Sequence, residues 1–487
     1  MLARAVRAPL WLLVSALMAR VMGPEGLGVW AMLMAAGMLF NQVFVLWSQS
    51  ITQRFGRLEW ESSRQLKRTW AIRWPLLLVA GTLALVFIFL APANWLSAHL
   101  RVPQESLWLV LPLLLSLWLM GEVQGLQQVR ERYLRLAWSP LLADLVLIGV
   151  LVALSLAAVF GQQLSTSQML VAVSFSGLAT WVLLLSRELK GISIGWQLPE
   201  VRQLRVAIVF ALPLLPGYMI GYLSEWCDYL LIGHFIDSQA VGLYHPAFQY
   251  MLILIGIPTA VVAVLMPQLV SRIDQLDSAG EIQLIERVAP QIMSLWGIAT
   301  IGLIAFLPAV FSLLIGHSFD QSRILLQVLL AAVPGAAATH LYGLAHFAQG
   351  RLLTANVALF GVKLLVNVSL TLILLPIFGV LGAAIAAVIG FLLVQWLFLL
   401  DQHRHLKLPI SRAALSLFLA HAGGLALVAV DTLVLRSLIS VVVVFLMLFF
   451  IRRGNLFSPR ELSAMVPGSL GCIMPVLARM LCKNKLL

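Results

Sequence analysis

The chain has 487 residues, of which 61% are hydrophobic and only 11% charged, with a mean hydropathy of +0.98. Soluble domains carry about 25% charged residues, so a string of water-facing domains is excluded and an all-α polytopic membrane protein is expected. The net charge of +12 does not by itself imply nucleic acid, because membrane proteins gather Lys and Arg on one side.

Apolar stretches of roughly the 20 residues needed to cross a bilayer fall at about 5–22, 27–49, 74–92, 106–125, 137–159, 167–186, 206–232, 242–267, 290–315, 323–347, 354–375, 379–400, 413–430 and 434–451. None alternates apolar and polar residues in the manner of an outer-membrane strand, so the spans are expected to be helices. With the N-terminus in the cytoplasm, sides alternating, and residues in the end turns of a span (Arg7, Arg20, Arg323, Arg436) counted with the adjoining segment, the inside segments hold 27 of the 32 Lys and Arg and the outside segments 4, with Lys363 left deep inside a span. That asymmetry supports fourteen spans with both termini cytoplasmic. It also accounts for the charge without a nucleic-acid partner.

The first span, "MLARAVR" followed by an apolar core, is expected to stay in the protein as a helix rather than act as a cleaved signal. Arg20 ends it, a few residues from the turn "MGPEGLGVW". Span 2 carries Asn41 and Gln42, a polar pair suited to lining a path or to joining helices. Residues 52–74 mix six basic residues with Phe55, Trp60, Trp70 and Trp74, as an interfacial amphipathic helix on anionic headgroups would. Asp144 lies in span 5 with no obvious basic partner.

Span 7, "FALPLLPGYMIGYLSEWCDYLLIG", places Glu225 and Asp228 three residues apart, on one face of a helix. Its Pro213, Pro216, Gly217 and Gly221 allow a bend, and interrupted helices often border transporter sites. The following turn repeats the first: Leu27-Gly28-Val29-Trp30 aligns with Val241-Gly242-Leu243-Tyr244, an offset of 214 residues. Span 7 thereby becomes the counterpart of span 1. The implied plan is a six-helix lobe at 1–190, a second at 206–400, two extra helices at 413–451 and a cytoplasmic tail at 452–487. A third echo, "GVLGAA" at 379–384, opens span 12. His340 lies in span 10. Lys363 lies about nine residues into span 11, where an ionised group costs about 2.5–3.5 kcal/mol even on the lenient insertion scale. It calls for an acidic partner or an anionic ligand, and Asn367 shares its face. The tail begins with "SPRE", Ser458 to Glu461, a capping-box pattern with Pro at the first helical position. Cys227, Cys472 and Cys482 form no disulfide framework or metal-ligand pattern. No phosphate-binding loop, HExxH or CxxC is present, which points away from an enzyme and toward a secondary transporter.

The stretch Ala19, Arg20, Gly23, Pro24, Glu25, Gly28 and Trp30, with "AVGLY" at 240–244 and "GVLGAAIA" at 379–386, resembles the Wzx-like polysaccharide flippases, of the superfamily that includes MATE exporters and MurJ. The resemblance implies a flippase of the cell inner membrane. It would move an undecaprenyl-diphosphate-linked oligosaccharide to the outer leaflet for polysaccharide biosynthesis (exopolysaccharide or O-antigen), beside polymerase and export machinery. Arg20 and Lys363 would then receive the diphosphate. Asp228 with Asn367 resembles the cation site of MurJ-like members and Glu225 the span-7 acid of MATE exporters, with Na+ or H+ as coupling ion and no other cofactor. The second acid of both patterns is absent, and Lys363 could replace a cation by pairing with Glu225. Asn41, Gln42, Asp144 and His340 would line the polar cavity. The alternative is a MATE-like cation-coupled small-molecule exporter. A polysaccharide polymerase or ligase would need a longer outer loop than 93–105.

Overall fold

The computed structural model describes residues 2–90, 93–160, 164–190, 192, 195–275, 284–348, 351–430 and 432–453. The expected tail helix, with Cys472 and Cys482, lies outside them. The described residues are helical, with no strand among them. Among the described residues twelve helices are long and apolar enough to cross a membrane, and a pair bent by 43°, His317–Ala332 with Ala337–Gly343, makes a thirteenth if it is one span. The first of the twelve, Pro9–Ser63, has 55 residues. At 1.5 Å per residue that is about 80 Å, more than twice the hydrocarbon thickness of about 30 Å. It covers both of the first two expected spans, 5–22 and 27–49, so the described helices number twelve to thirteen candidate spans against the fourteen expected.

By its contacts the chain divides into two compact units: residues 1–246 with 315–319 and 368–383, and residues 247–314 with 320–367 and 384–487. The first unit begins with α1, Leu2–Phe40, broken at Gly23, which takes φ 66° and ψ 178°. Such a backbone favours glycine, and Pro24 then opens the second half at the position where a missing N–H is harmless. The helix continues through two π-helical segments, Asn41–Leu46 and Thr52–Gly56, on either side of α2, Trp47–Ile51, and ends in α3, Arg57–Ser63. Such wide turns inside α-helices are frequent at functional sites.

The remaining helices of this unit are α4 (Lys67–Leu90), α5 (Ala93–Leu100), α6 (Val110–Val129), α7 (Tyr133–Val159), α8 (Thr166–Leu189), α9 (Val201–Ala211), α10 (Leu215–Phe235) and the start of α11 (Ser238–Gln275). Helix α1 packs on α6, α7 and α10, and α8 on α6 and α7.

The expected interfacial helix at 52–74 takes a different form. Its first half prolongs span 2, Arg64 turns the chain with φ 55°, and α4 begins seven residues before the expected start of span 3. Glu59 accepts from the Arg68 and Thr69 backbone N–H groups at 2.8 and 2.7 Å, satisfying donors that a helix start leaves open. Arg73, the last basic residue of the stretch, is 1% exposed and paired with buried Glu122, with Thr52 and Trp118 completing the set. Burial of a guanidinium needs such partners, and that requirement draws residue 73 into the helix bundle.

The second unit contains the rest of α11, α12 (Ala289–Ile315), α13 (Asp320–Leu329), α14 (Ala337–Ala348), most of α15 (Leu352–Phe378) and α16 (Val380–His405), then α17 (Ser411–Val428) and α18 (Leu433–Arg453). Its core joins Ala289, Met293, Ala337, Ala338, Tyr342, Ala345, Val394, Phe398, Ala413 and Leu417. Small residues at these contacts let helices approach closely where lipid supplies no hydrophobic drive.

Candidate functional site

The two turns that echo each other in sequence pack against each other within the first unit. Asp237 caps α11 by accepting from Ala240 N at 2.7 Å, so Ser238 opens α11 as Pro24 opens the second half of α1. Each glycine stands four residues further on. A Cβ on Gly28 would fall 2.6 Å from the carbonyl carbon of Ser238 and 3.0 Å from Gly242 N. A Cβ on Gly242 would fall 2.7 Å from the carbonyl carbon of Pro24 and 2.9 Å from Gly28 N. The contact is reciprocal, and only hydrogen fits at its centre. Aromatic rings extend it: Trp30 meets His245 edge-on at 5.4 Å, and Tyr229 meets Tyr244 at 5.6 Å. Below it, the Tyr222 hydroxyl donates to the Ala35 carbonyl at 2.9 Å, tying α10 to α1.

Asp228 lies beside this crossing and is 1% exposed. The Tyr244 hydroxyl donates to its Oδ2 at 3.0 Å, the Thr371 hydroxyl to Oδ1 at 3.4 Å, and the Cys227 thiol to Oδ1 at 3.7 Å. Three elements thus converge on one carboxylate: α10, the first turns of α11, and the last third of α15. Asp228, Tyr244 and Thr371 form an oxygen set of the kind that suits hard cations. Tyr244 and Thr371 are residues that the sequence reading missed. Tyr244 was visible there only as the aromatic of the echoed turn, and Thr371 could have been found one helical turn after Asn367. Glu225, expected to share the face of Asp228, is exposed. Among the described residues no group of three His, Cys, Asp or Glu could hold a metal ion.

In the second unit, Lys363 is 2% and Asn367 1% exposed, on one face of α15. A Cβ on Gly390 of α16 would stand 3.4 Å from Asn367 Cβ and 3.5 Å from Lys363 Cγ. The Lys363 ammonium sits 3.9 Å from the centre of the Phe391 ring, a cation–π contact that strengthens away from water. His340 Nε2 lies 2.9 Å from the Ile255 carbonyl, to which it donates, leaving Nδ1 to accept from the Thr259 hydroxyl at 3.2 Å. Both ring nitrogens thereby join α14 to α11.

Asp144 has the basic partner that its sequence neighbours did not suggest: Arg7 Nε donates to Oδ2 at 2.8 Å from the start of α1. The pairing spans 137 residues, beyond the reach of local spacing. Arg20 is exposed on α1. Asn41 is buried and Gln42 half-buried in the first π-helical segment, and the side-chain carbonyl oxygens of both lack a hydrogen-bond partner among the described residues. Buried acceptors of this kind are rare and suit a ligand that brings hydroxyl donors. An apolar cavity of about 380 Å³ in the same unit is lined by Leu39, Phe40, Leu107, Trp108 and Tyr222.

Three comparisons bear on this architecture. Over 230 residues the chain is 26% identical to the probable low-salt glycan biosynthesis flippase Agl15 of Haloferax volcanii, covering 45% of this chain and 46% of that protein, so the chain spans about half the length of this curated relative. The fold is similar to the inward closed conformation of the lipid II flippase MurJ, with TM-score 0.69 and 12% identity over 92% of this chain and 98% of that one. It is also similar to an inward-facing multidrug resistance MATE family transporter of the MOP superfamily, with TM-score 0.60 and 15% identity over 82% and 94%. Residues 1–272 match the polysaccharide biosynthesis protein family, and the chain belongs to it.

Proposed function

We propose that this protein is a flippase of the cytoplasmic membrane that carries an undecaprenyl-diphosphate-linked oligosaccharide from the inner to the outer leaflet for polysaccharide assembly. The family match over residues 1–272 carries this reading. The glycan flippase named among the relatives and the MurJ-like fold support it. Topology follows the Lys and Arg asymmetry, with both termini cytoplasmic.

The residues divide the work by chemistry. Arg20 and Lys363 receive the diphosphate, Arg through paired N–H donors and Lys as a buried point charge that moves from the Phe391 ring to the anion. The orphan carbonyls of Asn41 and Gln42 accept from sugar hydroxyls. The lipid tail stays in the bilayer. The reciprocal glycine crossing closes the outer end while substrate loads from inside, and its separation opens that end, as alternating access requires.

Asp228 with Tyr244 and Thr371 would hold a coupling Na+ or H+. The donor set fits, since a carboxylate and two hydroxyls offer oxygen ligands. That same set supports the second reading, a cation-coupled small-molecule exporter of MATE-like fold.

The test is a liposome assay with purified protein, a fluorescent undecaprenyl-diphosphate oligosaccharide and leaflet-specific quenching. Wild type is expected to flip the lipid. Lys363→Ala is expected to lose flipping at least tenfold, while Lys363→Arg retains part of it. Flipping by Lys363→Ala at the wild-type rate would remove the anion role from this residue and leave the class intact. Efflux of small cations with no flipping of any lipid-linked sugar would replace the flippase by the exporter.

A further inference from the structure

Apart from the residues assigned to transport, the first unit contains a cavity of about 560 Å³ between the ends of α6, α7 and α8. Its walls have two chemistries. At one end Arg135, Arg187 and Glu188 line it, and at the other Leu142, Leu145 and Leu184 do.

The charge at the polar end is not balanced. Glu188, with its side chain 4% exposed, receives Arg132 Nη1 at 2.8 Å, Arg135 Nη1 at 3.3 Å and Arg130 Nη1 at 3.4 Å, with Gln127 Nε2 at 3.4 Å. Arg187, the adjacent residue, forms no ion pair among the described residues. Three guanidinium groups therefore share one carboxylate and a fourth, Arg187, adjoins it in the chain, so these five side chains carry an excess of three positive charges. The crowding also acts on Arg130, whose pKa is lowered first by burial and then by the charge of Arg132. Arg135 is 57% exposed and touches Glu188 through one nitrogen, so most of its five N–H donors remain for a ligand.

The apolar end is continuous with the outer face of α7. Leu142, Leu145, Val152 and Leu156 are each more than two-fifths exposed along it, the surface a bilayer would cover. Trp138 is half exposed between the two ends, the place such rings take at headgroup level. A free inorganic anion would satisfy only one wall, and an acyl chain only the other.

We propose that this cavity binds one anionic glycerophospholipid, its phosphate on Arg135 and Arg187 and an acyl chain along Leu142, Leu145 and Leu184. The site opens sideways onto membrane-exposed helices, where glycerophospholipid is the solvent, so mass action favours it over a scarcer prenyl-linked lipid. The α6–α7 turn lies on the cytoplasmic side in the charge-based topology, and the assignment rests on that orientation only for the leaflet it samples. The bound lipid joins α6, α7 and α8 across an otherwise repulsive arginine cluster.

The experiment is native mass spectrometry of the full-length protein released from nanodiscs with equal phosphatidylglycerol and phosphatidylcholine. Wild type is expected to retain one phosphatidylglycerol in preference to phosphatidylcholine. A basic residue near a membrane surface strengthens anion binding about fivefold, so Arg135→Gln/Arg187→Gln is expected to weaken retention about 30-fold. Arg135→Lys/Arg187→Lys is expected to keep most of it. Leu142→Trp, which leaves every arginine in place and fills the apolar end, is expected to lose it as well. Equal retention of the two lipids by wild type would overturn the proposal. So would unchanged retention in the folded Gln variant, and so would displacement of phosphatidylglycerol by undecaprenyl diphosphate, which would hand the cavity to the substrate lipid. None of these readouts depends on flipping.

Discussion

Replacing Gly28 by alanine tests the crossing of the echoed turns at its tightest point. The new Cβ would stand 2.6 Å from the Ser238 carbonyl carbon and 3.0 Å from Gly242 N, whereas carbon atoms in contact settle at about 3.5–4.0 Å. The Ser238 carbonyl oxygen stands nearer still, and all three neighbours are backbone, so no side chain can swing aside and the helices must part by more than about 1 Å. Overpacking of this kind costs about 1–3 kcal/mol, which lowers the population of the closed crossing by about 5- to 150-fold relative to any state in which the turns are apart. Val29, 3% exposed at the crossing, reports the change when replaced by cysteine in a chain whose own cysteines are removed. Its alkylation by a water-soluble maleimide is expected to accelerate at least fivefold with Gly28→Ala.

Gly242→Ala is expected to act alike, since its Cβ would meet the Pro24 carbonyl carbon at 2.7 Å. The two together should accelerate alkylation far less than the product of the singles, because a crossing already parted has room for the second methyl. Gly302→Ala, whose Cβ would meet nothing within 4 Å, serves as the control. Unchanged alkylation in Gly28→Ala, or full multiplicativity in the double variant, would refute the reasoning.

Arg73→Met leaves Glu122 buried without its partner and is expected to destabilise the protein by about 3–5 kcal/mol, read as thermal unfolding in detergent; Arg73→Met/Glu122→Leu should regain most of the loss. Asp228→Asn is expected to preserve folding and abolish the dependence of flipping on an imposed Na+ or H+ gradient, with Tyr244→Phe giving a partial loss. A gradient response that persists in Asp228→Asn would remove the coupling role from this site. His340→Gln, which can still donate to the Ile255 carbonyl, should leave the pH profile of flipping in place, since both nitrogens are engaged in joining α14 to α11; a displaced profile would make His340 a proton carrier.

The helices were legible because apolar run length is a one-dimensional property and the bilayer sets its scale. The break at Gly23 and the start of α11 were legible for the same reason, through Pro24 and the turn residues around Asp237. Pairings across the chain were not. Arg7 with Asp144 and Arg73 with Glu122 are 137 and 49 residues apart, and no spacing rule connects them. Glu122 did leave a signal, an acid inside an apolar stretch, and Arg73 stood at the very edge of the next span. Read together they would have predicted a buried pair. The π-helical turns at Asn41–Leu46 and Thr52–Gly56 left none, because their residues are compatible with an ordinary α-helix.

The echoed glycines carried more information than their length suggests. A repeat whose two copies merely occupy equivalent places needs no special residue at either. A repeat whose copies pack on one another about an approximate two-fold axis must satisfy the same contact from both sides, as an isologous interface does. Residue n of one copy then meets residue n minus four of the other, and the relation holds in reverse. Gly28 against Ser238 and Gly242 against Pro24 obey it. The smallest residue is required twice because each helix presents its carbonyl to the other's axis, so a side chain on either would block both. The mutual contact of the turns explains why glycine is the residue that both copies need.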